Sequence, residues 1–248
     1  MGRTDIHFHL LPGIDDGPAT ILDSLALARA AARDGTTTIV ATPHVRSDYV
    51  TDVWDLRDRV RAVKEALARN RVAVSVVQGA ELGHEMVGRL RQSELESIAQ
   101  GPPGRRWLLL ETPFEGMTPD FNDSADEVRE RGFGVVLAHP ERSADLLGAY
   151  RAGLDHELAA GSALQLNGFS VAGRCGDDER TTALDLIRLG LATAIASDAH
   201  GVARAPALTL AFDAAIAAGV PRYTALRLVD SAPRRLMARG VEPLPARI

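Results

Sequence analysis

Seven short apolar runs, separated by stretches of different periodicity, constrain this chain more than any other feature. They are "TDIHFH" (4–9), "TTTIVAT" (36–42), "VAVSVVQGA" (72–80), "RWLLLE" (106–111), "FGVVLAH" (133–139), "SALQLN" (162–167) and "ATAIAS" (192–197). Most are continuous and rich in Val, Ile and Leu, the pattern of strands buried on both faces. Helical text lies between most of them. "ATILDSLALARAAARDG" (19–35) ends at Gly35, a C-cap residue. "TDVWDLRDRVRAVKEALARN" (51–70) is amphipathic, with Thr51 or Asp52 as its expected N-cap. "NDSADEVRERG" (122–132) and "ERTTALDLIRLG" (179–190) also end in glycine. After the last run, helical text continues from 203 to 239, with breaks expected at "GVP" (219–221) and "SAP" (231–233). Alternating strand and helix predicts a parallel sheet.

The length of 248 residues suits an α/β barrel, and 46% hydrophobic residues suffice for a substantial core. No linker, low-complexity tract or repeat interrupts the pattern, so one domain over residues 1–248 is expected. The net charge of −5, with no long basic stretch, argues against nucleic acid as the main partner. A single cysteine, Cys175, rules out a disulfide framework and a cysteine-rich zinc site. The opening "MGRTDIHFH" carries no secretory signal pattern, and no apolar run is long enough to insert in a membrane, so a cytoplasmic protein is expected.

The histidines are placed unevenly. Of seven, five stand in or just after the end of a predicted strand: His7, His9, His44, His139 and His200. Carboxylates occupy equivalent places at Glu81, Glu111 and Asp198, and Asp16 follows the first strand. Strand residues two apart share a face, so His7 and His9 point the same way. The C-terminal ends of parallel strands are where α/β folds build their sites. Imidazole and carboxylate without thiolate suit Zn²⁺, Mn²⁺ or Fe²⁺. Nine such groups, at roughly three or four protein ligands per open ion, suit two or three ions better than one. Charge favours three: two divalent ions only neutralise the four carboxylates, whereas three leave an excess that attracts a phosphate dianion.

The motifs "DIHFH", "ATPH", "GAEL", "AHPER" and "SDAH" resemble the polymerase and histidinol phosphatase (PHP) superfamily. "LLPGIDDGP" after the first motif is similar to the bacterial metal-dependent protein-tyrosine phosphatases of capsule and exopolysaccharide operons. The resemblance runs from Asp5 to about Pro206 and more weakly beyond it. It implies a single-domain, distorted (β/α)7 barrel with parallel strands. It implies one ion held by His7, His9, Glu81 and Asp198, and a second held by Glu81, Glu111 and His139. Asp16, His44 and His200 would hold a third. Arg142 and Arg204 match phosphate-binding arginines. If the alignment at Arg204 slips, Arg174 or Arg180 takes that role.

The implied reaction is phosphomonoester hydrolysis with manganese as first choice of metal, iron or zinc being alternatives. The implied substrate is a phosphotyrosine protein, the tail of a bacterial tyrosine kinase. Two other readings use the same residues: a small-molecule phosphatase, such as one for histidinol phosphate, and a non-catalytic binding module. The binding module predicts eroded ligands, and none of the nine is missing. A cysteine-dependent phosphatase is disfavoured, because "CGDDER" spaces Cys175 and Arg180 as C-x₄-R and fills the interval with acids. Asp15 and His200 are candidates for the proton donor to the leaving group. Asp5 is expected either to orient an imidazole or to be satisfied by backbone.

Overall fold

A computed structural model describes residues 2–242. The first helix shows how local chemistry sets an element. Thr20 Oγ1 accepts from the Asp23 amide and Asp23 Oδ2 accepts from the Thr20 amide at 3.0 Å, a reciprocal cap for α1 (Ile21–Arg33). Such a cap is worth about 1 kcal/mol. Helix α2 (Leu56–Arg69) begins later than expected, and neither Thr51 nor Asp52 caps it. Asp52 Oδ1 instead accepts from the Trp54 amide, closing a turn that delays the helix.

The remaining helices are α3 (Gln92–Ile98), α4 (Pro119–Glu130), α5 (Arg151–Ala159), α6 (Gly168–Val171), α7 (Asp177–Arg188), α8 (Leu208–Ala217), α9 (Arg222–Leu226) and α10 (Ala232–Arg239). The break expected at 219–221 separates α8 from α9. The one expected at 231–233 does not end a helix: a π-helical turn over Arg227–Ser231 joins α9 to α10. Pro233 then falls in the first turn of α10, directly after the π turn.

The strands are β1 (Arg3–Phe8), β2 (Thr36–Ala41), β3 (His44–Val45), β4 (Ser75–Gln78), β5 (Glu81–Gly83), β6 (Trp107–Glu111), β7 (Gly134–Ala138), β8 (Ala163–Asn167) and β9 (Ala192–Ala196). Seven of the nine segments overlap the expected runs. β3 and β5 lie just beyond the second and third runs, after Thr42–Pro43 and Gly79–Ala80. All ladders are parallel, in the orders β1-β2-β4 and β3-β5-β6-β7-β8-β9. A parallel bridge between Phe8 and Ala199, with the His9 amide donating to Ala199 O and the Asp198 amide to His7 O, joins the last strand position to the first. The strand positions thus follow one another in a ring.

Two apolar clusters line the opposite faces of these strands. The smaller draws Ile6, Val40, Trp107, Leu109, Val136, Ala138, Ala163, Ala194 and Ala196 from the strands and Leu236 from α10. The larger holds the alternate positions, such as Leu108, Leu110, Val135 and Leu137, against the surrounding helices. Trp107 is fully buried, and its indole Nε1 donates to Leu236 O, so α10 covers one end of the smaller cluster. The opposite end holds the polar groups. On β6, Glu111 continues the face of Trp107 and Leu109; beyond β9, Asp198 continues that of Ala194 and Ala196.

Candidate metal centre

All nine side chains expected as ligands meet at the C-terminal ends of the strands. Glu81 Oε2 is the focus: His7 Nε2 lies 3.1 Å away, His44 Nδ1 3.1 Å and His9 Nε2 3.3 Å. Asp198 Oδ1 stands 3.2 Å from His7 Nε2 and 3.5 Å from His9 Nε2. His200 Nε2 and His44 Nε2 approach Asp16 Oδ1 at 3.1 and 3.5 Å. His139 Nε2 meets Glu81 Oε1 at 2.8 Å. Backbone geometry helps to aim two of these groups. His139 and Asp198 hold φ values of +35° and +50°, the left-handed region that non-glycine residues rarely adopt.

The donors form three groups in which the ligand atoms lie within 4.8 Å of one another: His7, His9, Glu81 and Asp198; His44, Glu81 and Glu111; and His9, Asp16, His44 and His200. The first is the set the resemblance implies, and the third adds His9 to it. The second differs: His44 stands with Glu81 and Glu111 where His139 was expected, because His139 turns Nε2 to the other oxygen of Glu81.

The chemistry of the donors fits divalent ions. Glu81 Oε2, Asp198 Oδ1, His44 Nδ1, His139 Nδ1 and His200 Nε2 are all buried without a hydrogen-bond partner. Burying such groups unpaired is costly unless a cation takes their lone pairs. The electrostatics of the site carry the same tension. Burial disfavours ionised Glu81, yet His7, His44 and His139 hold its pKa well below the usual value. Burial disfavours protonated His9, yet Asp15, Asp198 and Glu81 raise its pKa well above the ordinary imidazole value. Glu111 is pushed up to about 8 by burial and by Glu81, against the pull of Arg46. Burial lowers His44 to about 4, so near neutral pH it is uncharged and has one ring nitrogen free to ligate.

Several partners hold the donors in place. Asp15 Oδ2 lies 2.8 Å from His9 Nδ1 and accepts from the His44 amide, while Oδ1 accepts from the Gly17 amide. Asp15 is therefore engaged by three neighbours and is not poised as a proton donor. A Cβ on Gly17 would lie 2.9 Å from Asp15 Oδ1 and 3.0 Å from His9 Cβ, which explains the glycine of "DDG". Asp5 takes the second of its expected roles only in part: Oδ1 accepts from the Ser197 amide at 3.0 Å, while Oδ2 is buried without a partner.

Three contributors carry no role in the sequence reading. Gln165 Oε1 stands 2.8 Å from His7 Nδ1, and Asn167 Nδ2 donates to Asp198 Oδ2 at 2.8 Å. Both lie on one face of β8, whose C-terminal end supplies none of the nine expected ligands, and their spacing of two in "LQLN" is the signal available in the sequence. Arg46 Nη1 donates to both oxygens of Glu111 at 3.0 and 2.9 Å; only its place two residues after His44 hints at this.

The expected phosphate-binding arginines border the same centre. Arg204 Nη2 reaches Asp198 Oδ2 at 2.7 Å and Nη1 reaches Asp16 Oδ2 at 3.3 Å. Arg142 Nη1 lies 3.4 Å from Asp198 Oδ2, and its guanidinium sits 4.7 Å from the centre of the Phe114 ring. The Arg204 contacts favour it over the fallback at Arg174 or Arg180. Beside these residues lies a cavity of about 650 Å³ whose walls include Arg142, Arg174, Arg204, Asn167 and Asp198. Cys175 also lines it, but burial raises its thiol pKa, which keeps it protonated near neutral pH.

The chain is 30% identical over 199 residues to the tyrosine-protein phosphatase YwqE of Bacillus subtilis (strain 168), a match spanning 80% of this chain and 77% of that protein. It is 30% identical over 206 residues to the putative tyrosine-protein phosphatase CapC of Staphylococcus aureus, spanning 82% and 78%. A crystal structure described among those of YwqE from Bacillus subtilis and CpsB from Streptococcus pneumoniae, "unique metal-dependent tyrosine phosphatases", superposes with a TM-score of 0.83. That likeness has 26% identity and covers 99% of this chain and 100% of the other. The family model for capsular polysaccharide synthesis, CpsB/CapC, matches residues 3–237, and the chain belongs to that family.

Proposed function

We propose that this chain is a metal-dependent protein-tyrosine phosphatase acting on the phosphorylated tail of a kinase in capsule or exopolysaccharide regulation. The observation that carries the reading is the focus at Glu81 Oε2, one buried carboxylate oxygen faced by His7, His9 and His44 within 3.3 Å. Such a junction suits a carboxylate shared between two cations. His7, His9, Glu81 and Asp198 would hold one ion; Glu81, Glu111 and His44 or His139 a second; Asp16, His44 and His200, with His9 adjacent, a third. Manganese is our first choice, since the donors are nitrogen and oxygen without thiolate. Bound divalent ions supply Lewis-acid charge and a hydrolytic nucleophile at neutral pH.

The chain's own residues do the rest. Arg142 and Arg204 bind the non-bridging oxygens of the phosphoryl group, because guanidinium pairs with phosphate through parallel hydrogen bonds. Their present contacts with Asp198 hold both heads at the edge of the centre. Asp15 and Gln165 fix the rings of His9 and His7 through their Nδ1 atoms, leaving both Nε2 atoms directed at the focus. His200, with Nδ1 2.9 Å from Asp198 O and Nε2 3.1 Å from Asp16 Oδ1, is engaged as a ligand and is no better placed than Asp15 to donate a proton.

A protein substrate is favoured by the relatives' names and by the open edge of the site, where Asp16 is 41% exposed and Arg204 35%. Such a tail is phosphorylated where ATP is available, so we place the enzyme in the cytoplasm. Among the described residues, no helix is long and apolar enough to cross a membrane. We read the chain as one domain, supported by a family match that runs unbroken through both apolar clusters. Metal analysis combined with turnover of a phosphotyrosine peptide and of histidinol phosphate tests the proposal. Preference for the peptide by the loaded protein supports it; preference for histidinol phosphate moves the chain to the small-molecule reading.

A further inference from the structure

We propose that the cavity beside Asp198 is a second anion subsite, in which Arg174 receives the carboxylate of an acidic residue flanking the phosphotyrosine. This rests on the phosphatase reading above. The cavity's volume of about 650 Å³ is much larger than a phosphoryl group needs, so it has room for a neighbouring side chain of the substrate. Three guanidinium groups line it: Arg142, Arg174 and Arg204. Two of them already face the metal centre through Asp198. Arg174 is different. It is exposed, and it makes no ion pair with any acid among the described residues. Many other arginines of this chain, such as Arg46, Arg59, Arg129 and Arg151, are paired.

The loop carrying Arg174 is anchored, because the Arg174 amide donates to Phe169 O at 2.8 Å. The lining holds two acids. Asp198 is turned towards His7 and His9, and Glu179 stands on the first turn of α7 without pairing to Arg174. The chamber therefore presents an uncompensated cation next to the place where the phosphoryl group is expected. A carboxylate one or two residues from the phosphotyrosine is the substrate group that matches it in charge and reach.

The test uses manganese-loaded full-length protein and phosphotyrosine peptides of equal length, flanked on both sides by Glu, Gln or Lys. p-Nitrophenyl phosphate is run with the wild type as the measure of basic activity. The wild type should show a kcat/KM about five-fold higher for the Glu peptide than for the Gln peptide, the gain expected of a partly exposed ion pair. Arg174→Gln should bring that ratio near one, and Arg174→Glu should shift preference to the Lys peptide. Melting temperatures establish that both variants fold. Equal turnover of Glu and Gln peptides by the wild type, or a Glu preference that survives in Arg174→Gln, overturns the subsite alone. A metal-loaded wild type that does not hydrolyse p-nitrophenyl phosphate overturns the phosphatase reading and the subsite with it.

Discussion

Asp15 Oδ2 lies 2.8 Å from His9 Nδ1, and this contact leaves His9 Nε2 directed at Glu81 and Asp198. A carboxylate behind a ligating imidazole sets its tautomer and raises its basicity. Losing such a partner typically costs 10–100-fold in metal affinity. Asp15→Ala should therefore bind manganese about 10–100-fold more weakly, and Asp15→Asn should keep part of the affinity. Calorimetric titration of each variant with Mn²⁺ checks this. Wild-type affinity in Asp15→Ala would remove Asp15 from the support of the site.

Arg142 is close enough to meet a phosphoryl group beside Asp198 but is too cationic to ligate an ion. Arg142→Ala should keep its metal content while kcat and kcat/KM both fall, since the contact strengthens as charge develops. A lost hydrogen bond to a charged group is worth roughly 1.5–3 kcal/mol, which is about 10- to 150-fold in rate. Arg142→Lys should rescue only part, because an ammonium lacks the planar fork. Near-normal turnover by the alanine variant, with metal content measured on the same preparation, would reduce Arg142 to a structural partner of Asp198 and Phe114.

Chelation should abolish phosphatase activity and added Mn²⁺ should restore it. Cys175→Ser should leave turnover close to wild type, since the residue is exposed and its thiol pKa is raised, whereas a thiolate nucleophile needs it lowered. A well-folded, metal-replete Cys175→Ser without activity would point instead to a thiolate nucleophile.

Glu141 sets a pH dependence of stability. It is fully buried, with Oε1 accepting from the Asn167 amide, and burial raises its pKa to about 7. A carboxyl whose pKa is higher folded than unfolded stabilises below its unfolded pKa and loses that contribution as pH rises through the folded value. In the metal-free protein Glu141 should thus weaken the fold progressively from about pH 4.5 to 7, by on the order of 3 kcal/mol in total. Glu141→Gln keeps an acceptor for Asn167 and removes the charge. Its melting temperature should exceed that of the wild type at pH 8 and match it near pH 4.5. A variant that melts lower than the wild type at both pH values would contradict the assignment.

The strand positions were legible because apolar periodicity is a local property, and a run such as "FGVVLAH" needs no distant partner to be recognised. Ligand types were legible too, since imidazoles and carboxylates recur at the ends of those runs and a metal site must draw on such groups. Local spacing also placed the break between α8 and α9. It failed at "SAP", where packing of α10 against the strands carries the helix through a π turn.

Tertiary structure alone decided which groups meet. Asp5 accepts from the Ser197 amide 192 positions away, and Arg46 clamps Glu111 65 positions away. His44 joins Glu81 and Glu111 because β3 pairs with β5 in register, His44 opposite Glu81. Gln165 and Asn167 reach His7 and Asp198 only because β8 lies between β7 and β9. The sequence by itself determined what kinds of donor stand at the strand ends, since composition and periodicity are written along the chain. Their partners depend on pairing between strands far apart in sequence and on the return of the last strand position beside the first, which no local spacing encodes.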